Sequence, residues 1–345
     1  MSRITPEEID EHAEKEGWFR PVFDQPPFTL ILQYLTGTLS LEDTVTQLTN
    51  PINASYSSAD SGNAIRQAES DATAQREFHS EAAARELWGD PLPEDEVPAE
   101  EVPDAPSTEG QLWELWYAVL HAAKRYPWRN DENNAHDKLV ALVAAIKRVP
   151  DPPLPPNANK ALRGNWIWGT GTLWSDLVLL GASSREIWND SPGTGAGYSD
   201  AAIVAWTNVN AFTARLTSED VNDYSLYAIW AMRDALETDP TKKASEESGT
   251  WLDACVPAAA AWILIWGRPM FERREVYERS PTRGDPGRPG DLMVQRTKNK
   301  QSAWTSQRWA FWKARFEEIS VAQDVKEETR IAAGEAFGKM KEIES

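Results

Sequence analysis

The chain has 345 residues, 41% of them hydrophobic, and 17 tryptophans, which is material for a substantial buried core and excludes a disordered or fibrous protein. Its 54 acidic residues outnumber 35 basic ones, and the resulting net charge of −19 repels nucleic acid and anionic membrane, so neither is an expected partner. The single cysteine, Cys255, excludes an intrachain disulfide, and the acidic start MSRITPEEIDEHAEKEG shows no apolar export segment; together they give the expectation of a cytoplasmic protein.

Thr5, Pro6 and Glu8 have the spacing of a helix start, with Thr capping, Pro in the first turn and Glu reaching back. Phe28–Leu35 is an apolar run whose setting favours helix, because Ser40 and Asp43 open a further helix that is expected to stop before Pro51. From Ser58 to Trp88 the Ala, Gln, Glu and Arg content predicts one long solvated helix. Gly89–Thr108 carries five prolines, seven acidic residues and no basic ones, which reads as an extended linker. Composition therefore divides the chain into an N-terminal helical extension (1–88), an acidic Pro-rich linker (89–108) and a Trp-rich helical domain (109–345).

Beyond the linker the spacing is helical throughout. Leu112, Trp116, Val119 and Ala123 share one face, as do Ala205, Val209, Phe212 and Leu216. Leu226, Ile229 and Leu236 form a third stripe, on which Arg233 is an anomaly. Ser183 and Glu186 resemble a capping box, and Ser199 suits the start of the helix after the Gly-rich loop Ser191–Asp200. The apolar run Ala254–Trp266 is too short to span a bilayer, and Pro257 inside it suits the first turns of a buried helix. In SQRWAFWKARFEE, Ser306–Glu318, a helical wheel places Trp309, Trp312, Phe316 and Ile319 on one face with Arg308, Phe311 and Arg315 beside it, a core stripe rather than a stacking platform for single-stranded nucleic acid. No interval alternates with period two, so the fold class is all-α: an irregular multi-helix bundle with a smaller helical N-terminal extension.

The strict chemical templates find little. His12, His79, His121 and His136 are scattered, with no metal-binding spacing, so no metal and no cofactor are expected. There is no nucleophile elbow, and Cys255 sits in an apolar run where a thiol is inert. The Gly-rich loop lacks both a preceding strand and a following lysine, the features that make a phosphate loop specific. The locally basic interval Arg268–Lys300 carries nine basic and five acidic residues and could meet the acidic linker by charge.

The segments LWELWYAVLHAAK, DKLVALVAAIKRVPDPP, WTNVNAFTARLT, DYSLYAIWAMRDALE, LDACVPAAAAWILIWG and RWAFWKARFEEI resemble, in order, a fungal family of uncharacterised proteins associated with oxopyrrolidine-type secondary-metabolite biosynthesis clusters. The resemblance runs from Leu112 to about Thr329. It implies a fungal setting near biosynthetic genes and assigns no catalytic residue.

Two expectations of function follow. One is an accessory protein, binding a small metabolite or a protein partner without turnover and dispensable to the pathway it accompanies. The other is an enzyme acting on a small metabolite in a Trp-lined pocket between helices. The residues available for such a pocket are Trp166, Trp168 and Trp174 with the polar groups that interrupt apolar helices: Asn208, Asn210, Arg215, Asp223, Tyr227, Arg233 and Asp234.

Overall fold

The computed structural model describes residues 4–16, 26–57, 70, 72–74, 76, 78–91, 93, 108–153, 172–194, 197–240, 248–277 and 285–345. Among these residues there are 13 α-helices and one π-helical turn, and the β pairing is limited to one isolated bridge between Val276 and Ala303. The fold is all-α, as the spacing predicts. In chain order the helices are α1 (Pro6–Glu16), α2 (Pro26–Leu35), α3 (Leu41–Ser57), α4 (Glu81–Trp88), α5 (Thr108–Arg125), α6 (Ala135–Lys147), α7 (Leu180–Asn189), α8 (Asp200–Ser218) and α9 (Ser225–Met232). The π-helical turn Arg233–Glu237 follows directly, and then α10 (Ser248–Glu272), α11 (Asp291–Thr297), α12 (Ser306–Ser320) and α13 (Glu327–Glu344).

Internal contacts divide the chain into two compact units, each assembled from separate stretches: residues 1–20, 123–140 and 190–345 form one, and residues 21–122 and 141–189 the other. The first residues thus group with the C-terminal helices rather than with the stretch that follows them. Residues 94–107, most of the expected linker, lie outside the described residues.

In the unit of 21–122 and 141–189, α2 and α3 pack together, and Phe28, Ile31, Leu48 and Ile52 are buried. The Phe28 ring meets His121 of α5 at 5.3 Å. Trp116, fully buried, donates its indole N–H to the Val178 carbonyl at 2.6 Å, and Trp174 donates to Asn53 Oδ1 at 2.8 Å. Helix α3 continues through Pro51 instead of stopping before it. The lost backbone bond is offset by burial beyond the proline, where Ile52 and Tyr56 are almost wholly enclosed. The single helix expected from Ser58 to Trp88 is also corrected: the chain turns at Phe78–Ser80, and the Ser80 hydroxyl accepts the Ala83 N–H at 3.3 Å to start α4 afresh. Helix α7 likewise begins at Leu180, so Ser183 lies inside it rather than capping it.

In the other unit, α10 packs chiefly against α8 and α13, and α13 against α12. Helix α10 is long and apolar enough to cross a membrane, but 72% of its most apolar window is buried within the protein, as in a core helix. Helix α1 has the expected reciprocal cap, with Thr5 N–H donating to Glu8 at 2.7 Å and Glu8 N–H to the Thr5 hydroxyl at 3.3 Å. It is fastened by Arg125, which donates to Asp10 at 2.9 Å and Glu7 at 3.1 Å, the first pair buried. Of the indoles whose exposure is described, Trp116, Trp174, Trp188, Trp206, Trp262, Trp266, Trp304, Trp309 and Trp312 are buried, and Trp113, Trp128, Trp230 and Trp251 are half-buried. None is exposed, so the rings turn inward. Trp262, Trp266, Trp304 and Trp312 form a chain of edge-to-face contacts at 5.9–6.1 Å.

The π-helical turn ends on Glu237, which is fully buried together with Arg308 of α12. Arg308 Nε and Nη2 donate to the two Glu237 carboxylate oxygens at 2.6 and 3.0 Å, and Nη1 donates to the Gly287 carbonyl at 2.7 Å. Trp312 Nε1 and the Gly290 N–H also donate to Glu237, at 2.6 and 2.7 Å. A β-carbon on Gly290 would stand 2.4 Å from the Glu237 carbonyl oxygen, so only glycine lets residues 285–290 lie this close to the turn. This is where that part of the basic interval goes.

Candidate functional site

Polar residues on apolar helices need partners, and the structure shows what each of the predicted site residues has found. Asn210, fully buried in α8, donates to the Trp206 carbonyl at 2.9 Å and accepts the Trp262 indole N–H at 3.0 Å. Asn208 donates to the Lys124 carbonyl at 2.9 Å and accepts the Trp128 N–H at 3.2 Å, fixing the chain that leaves α5. Asp223 accepts the Ser225 N–H at 2.7 Å at the start of α9, and this bond, with Arg273 nearby, holds its carboxyl below the ordinary value against the opposing effect of burial. Arg233 donates to the Pro286 carbonyl at 3.2 Å, which explains its place on an apolar stripe. The Asp234 carbonyl accepts the Trp251 indole N–H at 3.0 Å, and Tyr227 packs on Trp230 at 4.8 Å between ring centres. Trp174 belongs to the unit of 21–122 and 141–189, and Trp166 and Trp168 lie outside the described residues. Of the seven polar candidates, Asn208 and Arg215 line different cavities.

Asn208 lines an open groove of about 650 Å³ between α8, α10, the start of α13 and the segment Pro127–Asn130. Ile203, Val204, Pro257 and Trp128 supply its apolar wall. Part of its polar rim is already engaged. Asp253, buried on α10, accepts the Lys326 N–H at 2.9 Å and the Thr329 hydroxyl at 2.6 Å, so it fastens the start of α13 to α10. The Lys326 ammonium reaches Asp200 at 2.6 Å, and that bond raises its pKa. The groove can enclose a molecule of ordinary metabolite size, with apolar contact predominating.

Arg215 lines a second, smaller cavity of about 270 Å³, which shares Pro127, Trp128, Arg129 and Asn130 with the groove and is otherwise polar apart from Ala135. Arg215 donates to Asp137 at 2.6 Å and to the Trp128 carbonyl at 3.0 Å, while its Nε–H is buried without a partner. His136 lines the same cavity. Its Nε2 lies 3.1 Å from the Ala123 carbonyl and 3.0 Å from the Tyr126 carbonyl, while Nδ1 is buried without a partner. Burial, with the Arg215 charge nearby, pushes the imidazole down to about 4. Nothing in the spacing of the four histidines marks this one, because its partners are backbone carbonyls. The dense segment RYPWRNDENNAHD, Arg125–Asp137, with its Trp, Arg, Asn, Asp and His, was the available signal.

Elsewhere, the Gly-rich loop closes on itself: Gly193 N–H donates to the Gly197 carbonyl at 3.0 Å, and the Tyr198 phenol lies where a Gly193 side chain would be. Among the described residues no three His, Cys, Asp or Glu side chains gather as a metal site, and Cys255 is buried.

Residues 116–316, more than half of the chain, match a protein family described as proteins of unknown function, DUF3632. No match was found among curated proteins or among solved structures.

Proposed function

The chain belongs to the DUF3632 family, and from the groove on α8 we propose that it is an accessory protein that holds a small, largely apolar metabolite without transforming it. One observation carries the reading: the groove is of metabolite size with an apolar wall, and three of the polar side chains at its rim, Asn208, Asp253 and Lys326, are engaged with the protein's own backbone and side chains. Groups so engaged shape and orient, and a bound molecule gains chiefly by burying its apolar surface. The sequence resemblance extends the proposal to a setting, an accessory and dispensable role beside fungal oxopyrrolidine-type secondary-metabolite biosynthesis. The competing reading, turnover of a metabolite, draws on the other polar groups of the lining, such as the Glu328 carboxylate and the Asn130 amide.

Titration with the neutral fluorescent probe N-phenyl-1-naphthylamine tests the groove. A saturable rise in emission is expected with the wild-type chain, and its loss in Val204→Trp, where the indole fills the space; an equal rise in the variant refutes the reading. Metabolite profiling of a deletion strain tests the setting: an unchanged profile fits an accessory role, and accumulation of one intermediate replaces it with catalysis.

A further inference from the structure

We propose that the occupant of the groove on α8 carries an ammonium group on its apolar body, and that Asp253 receives it. This rests on the groove being a binding site, and it adds the class of ligand: an amphiphilic organic amine with a single positive charge.

Asp253 is only 7% exposed, and both of its hydrogen bonds, from the Lys326 N–H at 2.9 Å and the Thr329 hydroxyl at 2.6 Å, fall on one oxygen, Oδ1. Oδ2 takes no hydrogen bond and is not one of the fully enclosed atoms that lack a partner, so it keeps contact with solvent. The groove is where that contact lies. Asp253 and Pro257, four residues apart on one face of α10, both line it, and so do Lys326 and Thr329, which hold Oδ1. A carboxylate oxygen only accepts, so whatever completes Oδ2 must donate.

Charge then selects the donor. The lining holds two cations, Arg129 and Lys326, and three carboxylates, Asp200, Asp253 and Glu328. Arg129 is spent on Glu335, outside the lining, at 2.7 Å, and Lys326 on Asp200 at 2.6 Å. The Lys326 pKa is raised by the Asp200 bond first and by the charges of Asp200, Asp253 and Glu328 besides, against the opposing effect of burial, so three carboxylates stand about one ammonium. Glu328 is exposed and forms no ion pair among the described residues. A hydroxyl or amide N–H meets Oδ2 but leaves Asp253 and Glu328 without a balancing charge, and an anionic ligand adds a further negative one. An ammonium donates to Oδ2 and supplies the missing charge together. The net charge of −19 favours the same sign at long range. The apolar body of the molecule then lies against Ile203, Val204, Pro257 and Trp128.

The test is competition in the full chain near neutral pH and at about 0.15 M salt, where attraction to exposed charges is screened. N-phenyl-1-naphthylamine is the reporter, and the competitors share one skeleton: 4-phenylbutylamine, 4-phenylbutanol and 4-phenylbutyrate. The amine is expected to displace the reporter at a concentration at least about tenfold lower than the alcohol, with the carboxylate weakest. Asp253→Asn keeps an oxygen for Lys326 and Thr329 and loses the charge, so the advantage of amine over alcohol should fall by at least about fivefold. With the reporter bound, a smaller advantage in the wild-type chain, a carboxylate as tight as the amine, or a smaller fall in Asp253→Asn overturns this proposal and leaves the groove reading standing. A reporter that does not bind removes both. The wild-type series decides alone if circular dichroism shows that Asp253→Asn does not fold.

Discussion

Replacing Glu237 by Gln removes one charge from a pair that water does not reach, since both side chains are fully buried. The substitution keeps the size of the side chain and its carbonyl oxygen, but the new amide presents N–H to the Arg308 guanidinium, which only donates. Arg308 is left as a buried cation whose remaining acceptors are the one amide oxygen and backbone carbonyls, at 2.7 Å from Gly287 and 3.3 Å from Ala303 and Arg288. Breaking a buried pair from one side costs about 3–5 kcal/mol, because the surviving charge keeps its desolvation cost and loses its compensation. At most one of the Trp312 indole and the Gly290 N–H retains an oxygen acceptor, which adds about 1 kcal/mol. Urea unfolding followed by near-UV circular dichroism is therefore expected to show a loss of about 4–6 kcal/mol for Glu237→Gln. Adding Arg308→Met removes the stranded cation, so the double variant should cost less than the sum of the two singles by at least about 2 kcal/mol. A loss below about 1 kcal/mol for Glu237→Gln, or strict additivity, would refute the claim that this pair holds the π-helical turn against α12.

His136 gives a pH dependence with a definite sign. Its folded pKa of about 4 lies below the ordinary 6.5, so between those values the unfolded chain binds more protons, and the contribution to stability falls as pH is lowered through this window, by about 3 kcal/mol in all. The measurable form is the difference in the pH slope of unfolding free energy between the wild-type chain and His136→Gln, and an imidazole titrating near 6.5 by NMR contradicts it. Gly290→Ala brings a β-carbon to within 2.4–2.7 Å of Glu237 backbone and Cβ atoms, whereas at Gly287 the nearest atoms belong to the Tyr277 and Ser302 side chains, which can give way. Thermal unfolding should accordingly show a loss of about 1–3 kcal/mol for Gly290→Ala and a smaller one for Gly287→Ala. The reverse order would mean that residues 285–290 do not lie against the turn.

The sequence carries helix faces well because a face is a local property. Trp309, Trp312, Phe316 and Ile319 recur at helical spacing, and all four are buried. Arg308, one position from that stripe, reads as its flank, and it is fully enclosed. Its burial depends on a carboxylate 71 residues earlier, on a turn wound one residue wider than an α-helix so that Glu237 points inward, and on a glycine that lets a loop close over both. None of those three is visible at Arg308 itself. Helix ends show the same division. Thr5 and Glu8 make their cap from neighbours in the chain and are legible, whereas α3 passes Pro51 because Ile52 and Tyr56 are buried by distant residues, which overrides a local stop signal.

The same distinction governs what a polar residue on an apolar helix signifies. Such a residue predicts a buried hydrogen bond and says nothing of the partner. Asn210 and Arg215 lie five positions apart on α8 and look equivalent in the sequence. Asn210 spends both ends of its amide inside the unit, on Trp206 and Trp262, so its polarity is a device of packing. Arg215 satisfies Nη1 and Nη2 with Asp137 and Trp128 and keeps its buried Nε–H unmatched. Hydrogen-bonding capacity that the fold does not exhaust can thus be counted only once every nearer partner has been placed in space.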